Sequence, residues 1–340
     1  MLAAFGRERT RSRATSVPAP DYRPQLASLV REPPRGDQWL HEIKYDGYRM
    51  GCRVLNGRVT LISRNGQDWS ANFPAIAEAA SHLGVRDALL DGEVVVVLPD
   101  GRTSFQALQH ASRGAPARGR TVAGVVVYVV FDLLSIDGDS LVARPVEERK
   151  ARLRALLGRP RASSPIRFAA HVVGNGKAFF EQACLLGLEG VISKRRDLPY
   201  RAGRHGGWVK TKCSLRQEFV VGGFTDPAGA RVGLGALLLG CYDRGRLVFA
   251  GKVGTGFTQT TALDLRARLN SLAQRASPFM PTPPGALGRT AHWVKPELVA
   301  QVAFTEWTSD GRIRHPSFQG LRTDKQARDV KREQPAPRKQ

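Results

Sequence analysis

Strand-like and helix-like apolar patterns alternate through the first two thirds of the chain. Residues 55–62 read as a hairpin, with Asn56-Gly57 as the turn between two β-prone arms. Residues 73–83 show amphipathic helical spacing. Residues 88–98 include an apolar run from Val94 to Leu98, stopped by Pro99-Asp100-Gly101, which predicts a strand and then a turn. Ser104 is placed to cap a short helix through Gln109. Residues 125–134 are the most β-branched run in the chain and predict a buried central strand. Pro145 marks the first position of a helix through Leu157. Residues 177–186 predict another helix, and residues 190–194 and 208–212 predict two short strands.

After Lys212 the pattern changes. Short strands are predicted over residues 218–224, 235–242 and 246–253, separated by Asp-Pro and Gly-rich turns. A helix follows over 261–274, then strands over 298–308 and 312–317. Five or so short strands with one helix predict a small barrel of the OB-fold kind, a frequent oligonucleotide binder. The domain boundary falls between Lys212 and Glu218. The expected organisation is a first domain over 21–214 and a barrel over 215–330, with disordered basic tails at 1–20 and 331–340.

Charge adds a partner class. The chain has 340 residues, enough for two cores, and its 42% hydrophobic and 24% charged content is ordinary for a globular protein. The net charge of +22 is not. Each tail (residues 1–20 and 326–340) carries about +3, which leaves about +16 on the body, so the excess is not a tail effect. A body this cationic points to a polyanion, most simply nucleic acid. The four cysteines (52, 184, 213 and 241) contain no C-x-x-C pair, which argues against a zinc site and a disulfide framework and fits a reducing, cytoplasmic setting. No apolar run approaches a bilayer span, and the Arg-rich start lacks the apolar core of a secretory signal.

Charged residues recur where apolar strands end: Lys44 and Asp46, then Glu93, then Asp132 after Phe131, then Glu189 and Lys194, and finally Lys210 and Lys212. Lys210 and Lys212 share one strand face, because side chains alternate with period two. If these strands share a sheet, their carboxylates and amines line one cleft. Carboxylates there suit Mg²⁺ or Mn²⁺ with phosphate oxygens, and neighbouring amines are expected to depress the pKa of a nucleophilic lysine.

This ordered set resembles the covalent nucleotidyltransferase superfamily of ATP-dependent DNA ligases and mRNA capping enzymes. More narrowly, it resembles the ligase domain of the bacterial end-joining DNA ligase D. The resemblance runs from about Tyr22 to Lys331 and rests on the strings HEIKYDGYR, SRNGQDW, LDGEVV, VFDLL, LEGVISKR, WVKTK and HPSFQGLRTDK. It implies an α+β nucleotidyltransferase (adenylation) domain, with antiparallel sheets and flanking helices, followed by an OB-fold β-barrel. It also implies that Lys44 attacks the α-phosphate of ATP, while Glu42 contacts the adenine and Phe131 stacks on it. Arg49 and Glu93 would hold the ribose end, with Lys194 in the same nucleotide-binding set, and Arg64 would contact the 5′-phosphate of a nick. Glu189, with Glu93, would bind the metal. Lys210 and Lys212 would contact the α-phosphate. Arg322, Asp324 and Lys325 would close over ATP, with Arg314 assisting.

The implied enzyme is a monomer acting on nicked or broken duplex DNA, with Ku and separate end-processing proteins as partners. An RNA ligase or capping-type guanylyltransferase is the alternative within the superfamily. A catalytically inactive nucleic-acid binder is the alternative outside it.

Overall fold

The computed structural model describes residues 22–112, 124–159, 161, 163–227 and 232–335. The tail expected over residues 1–20 lies outside the described residues, as do residues 336–340. Twelve strands and five helices suffice to place the site. They are β1 Trp39–Lys44, β2 Tyr48–Leu55, β3 Arg58–Ser63, β4 Asp87–Val97, β5 Val125–Ile136, β6 Gly190–Arg195, β7 Trp208–Lys212, β8 Leu215–Thr225, β9 Ala236–Asp243, β10 Arg246–Val253, β11 Val299–Phe304 and β12 Ser317–Leu321. The helices are α1 Pro74–Ser81, α2 Phe105–Ser112, α3 Val146–Leu157, α4 Gly176–Leu185 and α5 Gln259–Ser271.

The first part of the chain forms two sheets. One runs β3-β2-β4-β5, and the other runs Ser28–Leu29, β7, β6, β1, His171–Val173. Pairing is antiparallel along β3-β2-β4-β5 and between β1, β6 and β7, with short parallel additions at Ser28–Leu29 and Ile166–Phe168. The β2–β3 turn has Asn56 and Gly57 both at positive φ, the backbone that an Asn-Gly hairpin turn requires.

The unbroken apolar run in β5 follows from burial on both faces. Tyr128, Val130 and Leu133 join the core beneath the helices, together with Ile76, Leu108 and Leu153. Val127 and Val129 face a second cluster with Val95 and Ala169. Leu134 packs with Leu89, Trp208 and Tyr200, which ties the two sheets together. Each fully buried valine contributes about 1.5–3 kcal/mol, more than a surface ion pair. The helices meet expectation closely. Ser104 accepts from the Ala107 amide at 3.2 Å at the start of α2. Pro145 is the N-cap of α3, one position before the expected first turn.

The second part has the sheet path β10-β9-β8-β11-β12. It curls so that the amide of Phe318, in the last strand, donates to the carbonyl of Thr255, just past β10, at 3.0 Å. α5 buries Ala262, Leu265 and Leu269 in its core. That helix starts two residues before its expected position, because Thr258 supplies the cap and accepts from the Thr261 amide. The two last expected strands are redistributed. Residues 298–308 divide into β11 and Glu306–Trp307, and the strand closing the sheet is β12, beyond the expected 312–317. Gly320 weakened the β pattern there.

Two corrections concern chain segments. Cys184 and Cys213 form a disulfide, with Cα atoms 5.1 Å apart, against the reading of four unconnected cysteines. The β6–β7 register pairs Gly190 with Lys212, so the end of α4 and the residue after β7 meet at one sheet edge despite a separation of 29 residues. Residues 331–334 fall in the expected disordered tail, but they run back along a cavity lined by both parts of the chain.

Candidate active site

Strand register builds this cavity. In the sheet containing β1, β6 and β7, one cross-strand row is Lys44, Gly190, Lys212, and the row two residues away is Glu42, Ile192, Lys210. Period two therefore sets Glu42 and Lys44 on the same face as Lys210 and Lys212. Two glycines make the close approaches possible. A Cβ on Gly47 would lie 2.1 Å from the Val94 carbonyl oxygen, and one on Gly190 would lie 2.0 Å from that of Thr211. Gly190 also has φ +153°, so the carboxylate of Glu189 is delivered by a backbone that no other residue adopts without strain.

The cavity encloses about 720 Å³, within the range of nucleotide-sized sites. The first domain lines it with Glu42, Lys44, Arg49, Arg64, Glu93, Phe131, Glu189, Lys194, Lys210 and Lys212. The second closes it with Arg322, Asp324 and Lys325. Arg314 is not brought in. It is exposed on the Ile313–Arg314 strand and pairs with Glu306 at 2.7 Å.

Lys44 Nζ lies 2.6 Å from Glu189 Oε2. Burial is the largest single influence and favours the neutral amine, but Glu189, Asp46 and Glu93 together outweigh it and hold the Lys44 pKa above its ordinary value. This corrects the expectation that surrounding amines depress Lys44: in this structure the dominant neighbour is a carboxylate. Burial outweighs the opposing charges of Lys44, Arg322 and Arg49 at half-buried Glu93, whose carboxyl is pushed up to about 7. Lys210 is pulled down to about 8 by burial and by Lys212 beside it.

Several partners went unseen in the sequence. Glu42 is 2% exposed and sits between two amines, Lys150 at 2.5 Å and Lys194 at 2.7 Å. Burial pushes its carboxyl up, yet Lys150 and then Lys194 outweigh that and leave it below the ordinary value. Lys194 also lies 4.5 Å from the Phe131 ring centre and 4.2 Å from that of Trp208. The signal for Lys150 was its place on α3, four residues after Val146 and three before Leu153, both buried. That puts it on the apolar face, where a lysine needs a partner.

Asp91 is fully buried. It accepts two bonds from Arg49 (3.0 and 2.6 Å) and one each from Tyr22 and Tyr200 (both 2.8 Å), which fixes Arg49 against the Phe131 ring at 5.1 Å. Glu218 stands 3.5 Å from Lys325. Glu333 bridges Lys210 and Lys212, at 2.6 Å to each, while its amide donates to Gln217 Oε1 at 3.0 Å.

Between the domains, Asp46 accepts from Gln301 at 2.9 Å and from Arg216 at 3.2 Å, and the Asn65 amide donates to the Asp324 carbonyl at 3.1 Å. Arg322 is buried, forked onto Asp324 at 2.8 and 2.7 Å, with a third bond to Gln301. Its guanidinium lies 4.6 Å from the Phe105 ring centre. Arg322 and Asp324 therefore hold the second domain against the first as much as they line the cavity.

The donor chemistry suits a divalent cation that keeps water and phosphate ligands. Glu189 and Glu93 are close enough for the charge of one to raise the pKa of the other. Mg²⁺ typically uses one or two carboxylates plus substrate phosphates rather than an all-protein cage. Among the described residues no cluster of three His, Cys, Asp or Glu could form such a cage.

The chain matches the ATP dependent DNA ligase domain over residues 24–212 and the ATP dependent DNA ligase C terminal region over residues 230–325. It is 45% identical over 324 residues (94% of the chain) to the multifunctional non-homologous end joining protein LigD of Pseudomonas aeruginosa. It is 38% identical over 301 residues (88% of the chain) to the LigD of Mycobacterium tuberculosis. The chain spans 38% of the length of each of these relatives. Among solved structures, mycobacterial DNA ligase D complexed with ATP and MES is 36% identical, with a TM-score of 0.67 over 92% of this chain and 98% of that one. Nucleotidyltransferase and OB-fold domains thus account for both halves, and the chain belongs to the ATP-dependent DNA ligase family.

Proposed function

We propose that this chain is an ATP-dependent DNA ligase that seals 5′-phosphate/3′-hydroxyl breaks through a lysyl-AMP intermediate. One observation carries the reading. Lys44, Glu189, Glu93, Lys210 and Lys212 converge on one cavity, over which the second domain lowers Lys325. A simple nucleic-acid binder has no use for a buried amine among carboxylates and further amines. The relatives named for non-homologous end joining support broken duplex ends as the substrate, and the body charge of about +16 suits a phosphate backbone. Delivery of those ends by Ku is proposed on the resemblance of the sequence motifs alone.

In the first step the neutral amine of Lys44 attacks the α-phosphorus of ATP. The N–P bond forms as the bond to the β-phosphate oxygen breaks, and pyrophosphate leaves. Lys44 must first give up to solvent the proton that Glu189, at 2.6 Å, stabilises. Lys210 and Lys212 supply donors for the charge on the α-phosphate. Phe131 offers an aromatic face and Glu42 an acceptor for the base. Glu93 and Glu189 would hold the divalent cation, which when bound neutralises phosphate charge and removes the counter-charge from Lys44. AMP then passes to the 5′-phosphate of the break, and the 3′-hydroxyl displaces AMP to close the strand, with Arg64 on the 5′-phosphate.

The test is to incubate the protein with α-labelled ATP or GTP and Mg²⁺, and to look for label on the denatured chain. Label from ATP, lost in Lys44→Ala, is expected, followed by sealing of a nicked duplex. Absence of label would overturn the enzymatic reading. Label from GTP in preference to ATP would move it to a capping-type transferase.

A further inference from the structure

Glu42 lines the cavity, but both of its oxygens already have partners. Lys150 reaches one from α3, and Lys194 reaches the other from β6. Lys150 is 2% exposed. It donates again to the Ala169 carbonyl at 3.0 Å and rests 4.5 Å from the Phe168 ring centre. It does not line the cavity. A buried lysine behind a functional wall, spending two hydrogen bonds and a ring contact on one geometry, is expensive as a mere structural element. Apolar packing would serve the helix better.

A carboxylate has about four acceptor positions, so two amines leave capacity for at least one more donor. Glu42 lines the cavity, so that capacity is available to a base bound there. An ionised, immobile acceptor there attracts an exocyclic amine and repels a carbonyl oxygen. Adenine carries the amine and guanine the carbonyl at the same ring position.

We propose that Lys150 is a positioning residue for nucleobase selection. It acts from behind the cavity, holding the Glu42 carboxylate charged and fixed so that it accepts from the amino group of adenine and rejects guanine. The proposal rests on the adenylation reading above. Lys194 shares the task but also faces the cavity and the Phe131 and Trp208 rings, so Lys150 is the cleaner probe. Lys150 does not touch the ligand, and its effect passes through Glu42.

Covalent loading of the full chain is measured against ATP and GTP concentration for wild type, Lys150→Met, Glu42→Gln and the double variant. Lys150→Met is expected to raise the KM for ATP about tenfold, to leave kcat within about threefold, and to narrow the preference for ATP over GTP about tenfold. Glu42→Gln should raise the KM for ATP similarly. The double variant should match Glu42→Gln alone, because an acceptor can be lost only once. An unchanged KM and preference in Lys150→Met overturns the proposal, and so does a double variant whose effects multiply to about a hundredfold. If Lys150→Met leaves Glu42 too poorly paired to fold, the double variant removes both charges and still decides. A KM tenfold above that of Glu42→Gln counts against the proposal, and an equal KM counts for it. Wild type without any label overturns the adenylation reading itself, whereas labelled wild type with indifferent variants overturns this inference alone.

Discussion

A nucleophilic lysine must be neutral, yet Lys44 sits 2.6 Å from a carboxylate that stabilises its ammonium form. The resting protein therefore holds the reactive group protonated, and loading with AMP is expected to accelerate as pH rises from about 6 to 8, by up to tenfold per unit. The sign follows from the raised pKa: each step upward in pH increases the small neutral fraction. Glu189→Gln removes the counter-charge, lowers the Lys44 pKa and should shift the rise to lower pH, while reducing the maximal rate at least tenfold. A pH–rate profile of single-turnover loading checks this, and a profile that keeps its position would separate Glu189 from Lys44. Lys44, Glu93, Glu189, Lys210 and Lys212 were legible in the sequence because each lies in a short local string on or beside a strand. Lys150, Asp91 and Glu218 were not. Their roles depend on partners 108, 42 to 109 and 107 residues away, respectively, and no local pattern encodes such distances.

At the level of elements, burial was the more legible property. β5 shows an unbroken apolar run because both of its faces are covered. β12 has few apolar positions and a glycine at φ +150°, so its place was misread. The Cys184–Cys213 link was equally hidden, since only the register of β6 with β7 brings its ends together. Closing a loop of this length is worth about 3.5 kcal/mol in the chain-entropy account. Cys184→Ser is expected to lower unfolding stability by that order in urea titrations without reductant. Reducing the wild type should reproduce the loss. A variant as stable as the oxidised wild type would show that the link does not constrain the unfolded chain.

For the molecule as a whole, closure matters most. Asp46, Asn65 and Phe105 of the first domain meet Gln301, Arg216, Asp324 and Arg322 of the second, an arrangement that brings Lys325 to the cavity. Lys325→Ala is expected to slow AMP loading by about a hundredfold while leaving sealing of a pre-adenylated nick within about tenfold. Equal losses in the two assays would contradict a role confined to the closed form. The two-domain layout was legible from the change of strand pattern after Lys212. The closed arrangement was not, because its contacts are few, polar and long-range. Glu333 has a consequence of its own. A carboxylate tethered onto Lys210 and Lys212 is a competitor of phosphate that the chain carries with it, at an effective concentration set by its short tether rather than by the solution. Nucleotide must displace it, so Glu333→Gln is expected to lower the KM for ATP several-fold, with sealing of a pre-adenylated nick unchanged, and an unaltered KM would show that the two anions do not compete. The pair of amines thus passes from one counter-ion to the next: first the protein's own carboxylate, then the nucleotide, then the DNA end.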